Sequence, residues 1–342
     1  MKILFDINHP AHVHLFRNAI HILKKQGHNV IVTARDKDIT LELLRNYKIE
    51  FISLSKARSK LIGLGSELIW RQLKLFPILL KNKIQVIVAV TGACSVHVAL
   101  LLRIPRLIFY DTEHATLQNA LTIPFATSFI TPDCFLKKVG KNHLTYAGVH
   151  DLAYLHPKYF TPDSSVLNLL HLQKGEKFII MRFVAWSAAH DVGQKGISLS
   201  LKRKIIQQYT SQAKVMITSE STLPDEFEPY RMRLPPEKIH DALYFAHMHL
   251  GEGGSMATEA AVLGTPSILV NSLSAGVFQE IEKKYGLMRC FHPDQEKDIL
   301  QCVQDFWQNH HIKEEWQEKR QKFLGDKIDL TEWMVDFILQ FG

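Results

Sequence analysis

The chain has 342 residues, of which 46% are hydrophobic and 22% charged, and its formal net charge at pH 7 is +7. This composition is typical of a globular protein of about two domains, and it excludes a disordered tail protein, a collagen-like chain and a small disulfide scaffold. The positive charge favours anionic partners such as phosphorylated substrates, acidic lipids or nucleic acid, without choosing among them.

Neither a targeting signal nor a membrane span is predicted. The chain enters an apolar strand directly after Met1 and Lys2, without a signal-peptide h-region. The longest apolar stretch, Val96–Tyr110, is too short and too polar to span a bilayer. The four cysteines include no C-x-x-C pair, so we expect reduced thiols in a cytoplasmic protein and no zinc site.

The first half of the chain predicts a doubly wound α/β domain. Short apolar runs alternate with segments of helical periodicity, which is typical of a parallel sheet covered by helices on both faces. Pro10 suits the first position of a helix, and Gly27 suits the residue just after its end. The predicted strands are Lys2–Ile7, Asn29–Ala34, Val86–Val90 and Arg106–Tyr110.

A second α/β series follows a linker at Gly148–Pro162, and its predicted strands are Lys177–Arg182, Ala213–Thr218, His247–Leu250 and Ser267–Val270. We therefore predict two Rossmann-like domains facing across a cleft, residues 1–155 and 156–328. A C-terminal helix in 329–342 is expected to pack back on the first domain. Ligands of open parallel sheets bind beyond the carboxyl ends of the strands, so the loops after strands are the candidate sites.

The most informative motif is GEGGSMATEAAVLGTPSI at 251–268. We expect Ser255 to cap a helix that begins at Met256, so that backbone N–H groups and the helix dipole form an anion site. Gly253 and Gly254 would let a phosphate approach the backbone, and Glu259 could accept two ribose hydroxyls. The alternative is an ordinary strand-to-helix turn in which the acidic residue merely suits the dipole.

The complete pattern, G-x-G-G-S-x-x-x-E followed by Leu-Gly-Thr-Pro at 263–266, resembles the donor-binding segment of glycosyltransferase-B-fold proteins. These include the lipid-linked N-acetylglucosamine transferase of peptidoglycan synthesis and UDP-N-acetylglucosamine 2-epimerase. The resemblance covers most of the chain at low similarity and is closest to a bacterial and archaeal group of that superfamily. It implies that Glu259 binds a ribose and that Gly253, Gly254 and Ser255 bind a diphosphate.

A second motif, HPAHVHLF at 9–16, follows the first predicted strand. In the transferase family a Gly-Gly-His tripeptide stands here; Pro-Ala replaces the glycine pair, and His12 falls on the histidine. The resemblance implies that His12 is a base for an acceptor hydroxyl, since imidazole titrates near neutral pH. The alternatives are a metal cluster with His9 and His14, or a helix-start residue that contacts the backbone.

A third motif, YDTEHA at 110–115, also follows a strand. It resembles the His-Glu-Gln-Asn segment of the transferase and the His-x-Glu-Ala-Gly segment of the epimerase. The resemblance implies that Glu113 positions the sugar or the acceptor; a helix-capping carboxylate is the alternative. Thr91–Ser95 lacks the acid of the epimerase's Gly-Asp-Thr segment. This counts against epimerisation, which needs paired acid and base groups.

Arg182 ends the first strand of the second domain, where a guanidinium can neutralise a diphosphate leaving group. The alternative is a surface ion pair. Trp186–Asp191, just beyond, is either a loop near the site or a solvated turn. Asp36-Lys37-Asp38 matches the D-x-D pattern of metal-dependent transferases but belongs to the other domain. We therefore predict no metal site, with the helix dipole and Arg182 carrying the leaving-group charge.

Basic residues alternate with apolar ones along 56–83. A basic helix with apolar bulk can rest on anionic lipid, which would suit a lipid-linked acceptor. An ordinary surface helix packed on a sheet has the same pattern. Nucleic-acid binding is the poorer interpretation because no RNA- or DNA-binding motif accompanies the charge.

Together these motifs predict a metal-independent glycosyltransferase whose nucleotide-sugar donor is a UDP-sugar. Its acceptor would be a carbohydrate or a lipid-linked molecule, in cell-surface polysaccharide or glycolipid synthesis, and no cofactor is expected. A nucleotide-sugar 2-epimerase or hydrolase on the same scaffold is the alternative enzyme. The alternative that is not an enzyme is a protein that binds a nucleotide-sugar without converting it.

Overall fold

The computed structural model describes residues 1–58, 61–184 and 195–342, with the backbone alone for residues 61 and 62. The strands are β1 (Lys2–Ile7), β2 (Asn29–Asp36), β3 (Ile52–Lys56), β4 (Val86–Val90), β5 (Arg106–Phe109), β6 (Ser128–Pro132), β7 (His143–Tyr146), β8 (Phe178–Phe183), β9 (Lys214–Ser219), β10 (Met248–Gly251), β11 (Ser267–Val270) and β12 (Met288–Phe291). The α-helices are α1 (Pro10–Lys25), α2 (Thr40–Asn46), α3 (Leu61–Asn82), α4 (Ala93–Leu101), α5 (Thr116–Thr122), α6 (Leu152–Leu155), α7 (Val166–Leu169), α8 (Leu199–Tyr209), α9 (Ile239–Phe245), α10 (Gly254–Val262), α11 (Gly276–Gln279), α12 (Glu296–Gln308), α13 (Ile312–Asp326) and α14 (Leu330–Leu339).

The chain divides into two compact units. Unit 1 consists of Met1–Tyr159 and Lys327–Gly342, and unit 2 of Phe160–Asp326. The last helix, α14, therefore belongs to unit 1, where the hydroxyl of Thr331 donates to the carbonyl of Ala153 (2.7 Å). Each unit is an α/β layer structure built on a parallel sheet, so the predicted pair of Rossmann-like domains is confirmed.

In the described part of unit 1, the sheet order is β3-β2-β1-β4-β5-β6-β7, and every neighbouring pair is parallel. The chain builds outward from β1 to β3 and then crosses to β4, so the order reverses between β1 and β4. All five residues of β4 are buried, as expected for a central strand covered on both faces. A ligand crevice is expected beyond the carboxyl ends of the strands at this reversal.

The sheet of unit 2 has the order β12-β11-β10-β8-β9 in the described residues, again with parallel neighbours. Here the order reverses between β8 and β10. The register pairs Leu250 with Met181 and Gly251 with Arg182. The end of β10, where the glycine motif begins, therefore lies directly beside Arg182.

Two further expectations concern the whole chain. Within the described residues, no helix is both long and apolar enough to cross a bilayer. Cys94, Cys134, Cys290 and Cys302 are not joined by disulfide bonds. Burial raises the pKa of Cys94 to about 12, so this thiol stays protonated and is a poor nucleophile.

Candidate functional site

The glycine motif forms the junction between β10 and α10. Gly253 is the N-cap, with extended backbone (φ −89°, ψ 125°), and its carbonyl accepts from the N–H of Ala257 (3.3 Å). The expectation that Ser255 caps the helix is therefore wrong: the helix begins at Gly254, and Ser255 already lies inside its first turn. The extended backbone at Gly253 lets helical hydrogen bonding start two residues earlier than the pattern suggested.

The N-terminus of α10 is open to an anion. No side chain among the described residues caps it, and the first N–H groups of a helix have no intrahelical acceptor. Gly253 and Gly254 are half-buried and Ser255 is exposed, so these N–H groups lie at the surface of unit 2. Together with the helix dipole they make the kind of site that binds phosphate.

Gly251 and Gly254 are explained by packing within unit 2. A Cβ atom at Gly254 would overlap Cζ of Phe278, and one at Gly251 would lie 2.8 Å from the His249 ring and 2.9 Å from Cβ of Arg182. Packing alone therefore requires glycine at position 254, whether or not a phosphate approaches it. The argument for an anion site rests on the N–H groups of α10 instead.

Glu252, which the sequence analysis missed, holds the junction together. Its side chain is 1% exposed and accepts hydrogen bonds from the N–H groups of Val184 and Ile197 and from Nζ of Lys202, each at 2.8 Å. A buried acid between two glycines has no sequence signature that distinguishes it from an exposed one. Trp186–Asp191, predicted as either a loop near the site or a solvated turn, lies outside the described residues.

Arg182 lies next to the glycine junction and is engaged in an ion pair. Its Nη2 lies 2.8 Å from Oε1 of Glu220, and the two side chains are 22% and 45% exposed. This is the ion pair that the sequence left open as the alternative. An exposed pair contributes at most about 1 kcal/mol, so exchanging Glu220 for a diphosphate would cost little.

Glu259 lies on the same helix as the N–H groups of the junction. It is five residues beyond Gly254, which places it about 7.5 Å further along the helix axis. Its side chain is nearly buried, and its Oε1 lies 3.1 Å from Nε2 of His240 on α9, whose ring is 1% exposed. The structure therefore places Arg182, Gly253, Gly254 and Ser255 at the carboxyl edge of the unit 2 sheet, and Glu259 further along α10.

His12 lies at the start of α1, just beyond the end of β1. Burial, reinforced by the neighbouring His9, lowers the pKa of His12 well below 6.5, so the ring is neutral at pH 7. The backbone N–H of Asn8 donates to its Nδ1 (3.2 Å). The proton of the neutral ring is therefore on Nε2. At that atom His12 offers a hydrogen-bond donor, whereas a general base needs a lone pair there. This backbone contact is the helix-start alternative considered above.

The other two histidines of the 9–16 motif have separate structural roles. The N–H of Ala11 donates to Nδ1 of His9, the N-cap of α1 (3.3 Å). Nδ1 of His14 lies 3.4 Å from both Nη1 of Arg17 and the hydroxyl of Tyr47. In the described chain no cluster of metal-ligating side chains includes any of the three histidines, so the metal alternative gains no support.

Glu113 connects the loops that follow β5 and β6. It is 2% exposed, and its Oε1 accepts from the N–H of Leu136 (3.2 Å), while its carbonyl accepts from Nζ of Lys137 (3.3 Å). It does not cap α5, whose N-cap is Ala115. The helix-cap alternative for Glu113 is therefore wrong, and its carboxylate lies at the carboxyl edge of the unit 1 sheet.

A histidine–aspartate pair at the same edge was not predicted. Nδ1 of His150 lies 3.0 Å from Oδ2 of Asp111, and the hydroxyl of Thr112 donates to Oδ1 of Asp111 (3.0 Å). Burial alone would raise the pKa of Asp111, but His150, Thr112 and His12 outweigh it and hold that pKa at about 2. Asp111 is therefore ionised at neutral pH, and its Oδ2 accepts a hydrogen bond from the Nδ1–H group of His150.

The fold of the whole chain is similar to that of solved enzymes that handle sugars. The UDP-GlcNAc 2-epimerase from Neisseria meningitidis, bound to UDP-GlcNAc, aligns with a TM-score of 0.66 and 11% identity over 99% of this chain and 100% of that one. The calicheamicin glycosyltransferase CalG4 aligns with a TM-score of 0.60 and 13% identity over 99% and 98%. These similarities confirm the glycosyltransferase-B fold that the sequence motifs predicted.

Sequence comparison identifies the family. A protein of Methanocaldococcus jannaschii named "Uncharacterized protein MJ0665" is 26% identical over 323 residues, which cover 89% of this chain and 91% of that protein. Residues 1–338 match the model of the family described as "Protein of unknown function (DUF354)", and the chain therefore belongs to the DUF354 family.

Proposed function

We propose that the protein is a glycosyltransferase that moves a sugar from a UDP-sugar to a hydroxyl acceptor. The observation that carries this proposal is the uncapped N-terminus of α10, flanked by Arg182 and followed along the same helix by Glu259. A helix N-terminus and a guanidinium suit a diphosphate, and a carboxylate suits the two hydroxyls of a ribose. The fold shared with UDP-sugar enzymes supports this choice of ligand.

In the proposed complex, unit 2 binds the donor. The N–H groups at Gly254 and Ser255 donate to the diphosphate, and Arg182 exchanges Glu220 for a phosphate oxygen. Glu259, oriented by His240, accepts the ribose hydroxyls. The N–H groups and Arg182 present positive charge to the diphosphate oxygens, which become more negative as UDP leaves, so they stabilise the transition state as well as the ground state.

Unit 1 supplies the groups that act on the acceptor and the sugar. His12 donates from Nε2 to a sugar or acceptor oxygen, and Glu113 orients one of the two substrates. The acceptor oxygen forms a bond to the anomeric carbon while the bond from that carbon to the diphosphate breaks. The electron pair of the broken bond leaves with UDP, and the acceptor proton passes to a base.

The reaction is proposed to need no metal ion, because Arg182 and the α10 dipole compensate the diphosphate charge. Full turnover in the presence of a chelator such as EDTA supports this, and loss of turnover that Mg²⁺ restores would contradict it. Asp36 and Asp38, the D-x-D pair, are not part of this proposal. Asp36 ends β2 and Asp38 follows it in unit 1, whereas the proposed donor groups belong to unit 2.

Product analysis tests the proposal. The full chain is incubated with UDP-glucose or UDP-N-acetylglucosamine, alone and with alkyl glycosides as acceptors, and the products are separated by chromatography. UDP release that depends on the acceptor, with a new glycoside formed, is the expected result. Release of an epimer or a free sugar without acceptor would identify the epimerase or hydrolase instead. UDP binding without turnover would identify a nucleotide-sugar-binding protein.

We also propose that α3 rests on an anionic membrane surface. Its inner face is buried through Leu75 and Leu79, but several large apolar side chains face outward. They are Ile69 (60% exposed), Trp70 (55%), Leu73 (65%) and Leu80 (52%). Nζ of Lys74 lies 5.2 Å from the Trp70 ring, so positive charge borders the apolar face. Apolar bulk flanked by lysines suits the headgroup region of an anionic bilayer, where a lipid-linked acceptor would be found.

A further inference from the structure

The proposed transfer needs a base that removes the proton of the acceptor hydroxyl. An imidazole does this only through a nitrogen that carries a lone pair. In His12 and in His9, Nδ1 accepts a backbone N–H, so the neutral ring of each carries its proton on Nε2. Neither ring presents a lone pair from Nε2. The base must therefore be another group.

His150 has the opposite arrangement. Asp111 is ionised and can only accept, so Nδ1 of His150 carries the proton that joins the two residues at 3.0 Å. In its neutral form the His150 ring has its lone pair on Nε2. The hydroxyl of Thr112 donates to the other oxygen of Asp111, and the Tyr146 ring lies parallel to the His150 ring, with an interplanar angle of 12° and centroids 6.4 Å apart. Asp111 therefore orients the His150 ring.

The lone pair on Nε2 of His150 is unused in the described chain. That atom is buried and has no hydrogen-bond partner among the described residues. Leaving a buried polar atom without a partner is unfavourable, which makes a hydroxyl that donates to it a favourable ligand. The dyad is not sealed off: 11% of the His150 side chain and 36% of the Asp111 side chain are exposed.

The same edge of unit 1 carries the other candidate acceptor groups. Asp111 follows β5, the strand whose loop also carries Glu113, and His12 follows β1. His12 interacts electrostatically with both Asp111 and His150, so the three side chains form one cluster. The carboxyl ends of parallel strands are where such sheets bind their ligands.

We propose that Nε2 of His150 is the base that takes the acceptor proton and that Asp111 is its positioning residue, an inference that rests on the proposed glycosyltransferase function. In the step, the acceptor O–H transfers its proton to Nε2 while the oxygen lone pair forms the bond to the anomeric carbon. The bond to the diphosphate breaks, and its electron pair leaves with UDP. A single displacement of this kind inverts the anomeric configuration.

The tautomers can be measured without any substrate. In the full chain labelled with ¹⁵N-histidine, long-range proton–nitrogen correlation NMR distinguishes a ring protonated on Nδ1 from one protonated on Nε2. His150→Asn and His12→Asn assign the two spin systems by the signals that disappear. We expect the Nδ1–H form for His150 and the Nε2–H form for His12. In Asp111→Asn the His150 signals should move toward a mixture of both forms.

Turnover then tests the chemistry, using UDP-glucose or UDP-N-acetylglucosamine with an alkyl glycoside. His150→Asn keeps a donor for Asp111 but removes Nε2, so we expect turnover to fall on the order of 10²-fold or more. UDP affinity should change by less than about twofold, since UDP is proposed to bind unit 2. His171→Asn, at an exposed histidine of unit 2, is the matched control and should retain the turnover of the parent chain. The glycoside should show inverted anomeric configuration.

Three results overturn the inference. They are an Nε2–H tautomer at His150, turnover of His150→Asn within about threefold of the parent chain, and a product of retained configuration. A chain that binds no UDP, or that turns over no donor with any acceptor, would overturn the proposed function and the base with it. That failure is distinguishable, because the tautomers of His150 and His12 would still be as stated.

Discussion

Nε2 of His240 lies 3.1 Å from Oε1 of Glu259, and both side chains are almost completely buried in unit 2. This contact connects α9 to α10, the helix whose N-terminus is the proposed diphosphate site. A buried carboxylate is costly unless it accepts hydrogen bonds, so His240 both stabilises and orients Glu259. The contact thus relates the stability of unit 2 to its proposed function.

A double-mutant cycle measures this contact. His240→Phe should lower the free energy of unfolding by about 1–3 kcal/mol, because a buried carboxylate loses a donor. Glu259→Met should cost less in the His240→Phe background than in the parent chain, since no charge then remains buried. Urea unfolding at pH 7 gives the four values. If the two changes add within about 0.5 kcal/mol, the residues do not interact as described.

Glu252 is expected to stabilise unit 2 and, through the junction before α10, to affect UDP binding. In Glu252→Gln one of the N–H groups of Val184 and Ile197 loses its acceptor and Lys202 loses its counter-charge, so the free energy of unfolding should fall by about 1–3 kcal/mol. UDP affinity should fall as well, because the junction before α10 loosens.

The control is Glu226→Gln, which breaks an exposed ion pair with Arg203 in the same unit. It should leave both unfolding and UDP affinity unchanged. Equal effects of the two substitutions would show that Glu252 is no more important than a surface acid.

His249 should make unit 2 less stable in acid. Burial, and then the charge of Arg182, lowers the pKa of His249 from 6.5 to about 3. As the pH falls below 6.5 the unfolded chain takes up a proton on this ring, whereas the folded chain does not until about pH 3. The free energy of unfolding therefore falls across that window.

His249→Asn tests the effect because it retains a donor for Ser267, toward which Nδ1 of His249 points at 3.2 Å, and does not titrate. The difference in unfolding free energy between parent and variant, measured by urea unfolding from pH 7 to pH 4, should shrink as the pH falls. A difference that stays constant with pH would contradict the assignment.

The exposed face of α3 should bind vesicles that contain phosphatidylglycerol in preference to pure phosphatidylcholine. Binding should weaken several-fold in Leu73→Ser, and it should weaken with salt because screening reduces the attraction of the lysines for lipid. Vesicle co-sedimentation and the fluorescence of Trp70 report it. Leu169→Ser, at an exposed leucine of unit 2, is the matched control. Equal binding by all three proteins to both vesicle types would exclude this surface.

The central strands could be predicted from sequence, whereas several edge strands could not. β1, β4 and β11 match their predicted bounds because their residues are nearly all buried and mostly apolar. β3 begins at the exposed Ile52, and β7 is the short segment His143–Tyr146 with two exposed residues. Such strands are defined by pairing with a neighbour, which local hydrophobicity does not encode.

The sequence motifs predicted which residues belong to the candidate site, but not the side-chain contacts that they make. The positions of Arg182 and Glu259 follow from strand ends and helix spacing, which are local properties. Asp111 and His150 are 39 residues apart in sequence, so only the sheet order that brings the loops after β5 and β7 to one edge pairs them. The tautomer of His12 depends on a single backbone hydrogen bond, which no residue pattern specifies.

Isothermal titration calorimetry with UDP tests the central claim most directly, on the parent chain and on Glu259→Ala. The account predicts saturable binding by the parent and a loss of about 1–3 kcal/mol in Glu259→Ala, equivalent to roughly 5- to 150-fold in Kd, for lost hydrogen bonds to a charged group. Glu318→Ala, at an exposed acid of α13, should bind like the parent. Parent-like UDP affinity in folded Glu259→Ala, or no binding by the parent itself, would contradict the proposed nucleotide site.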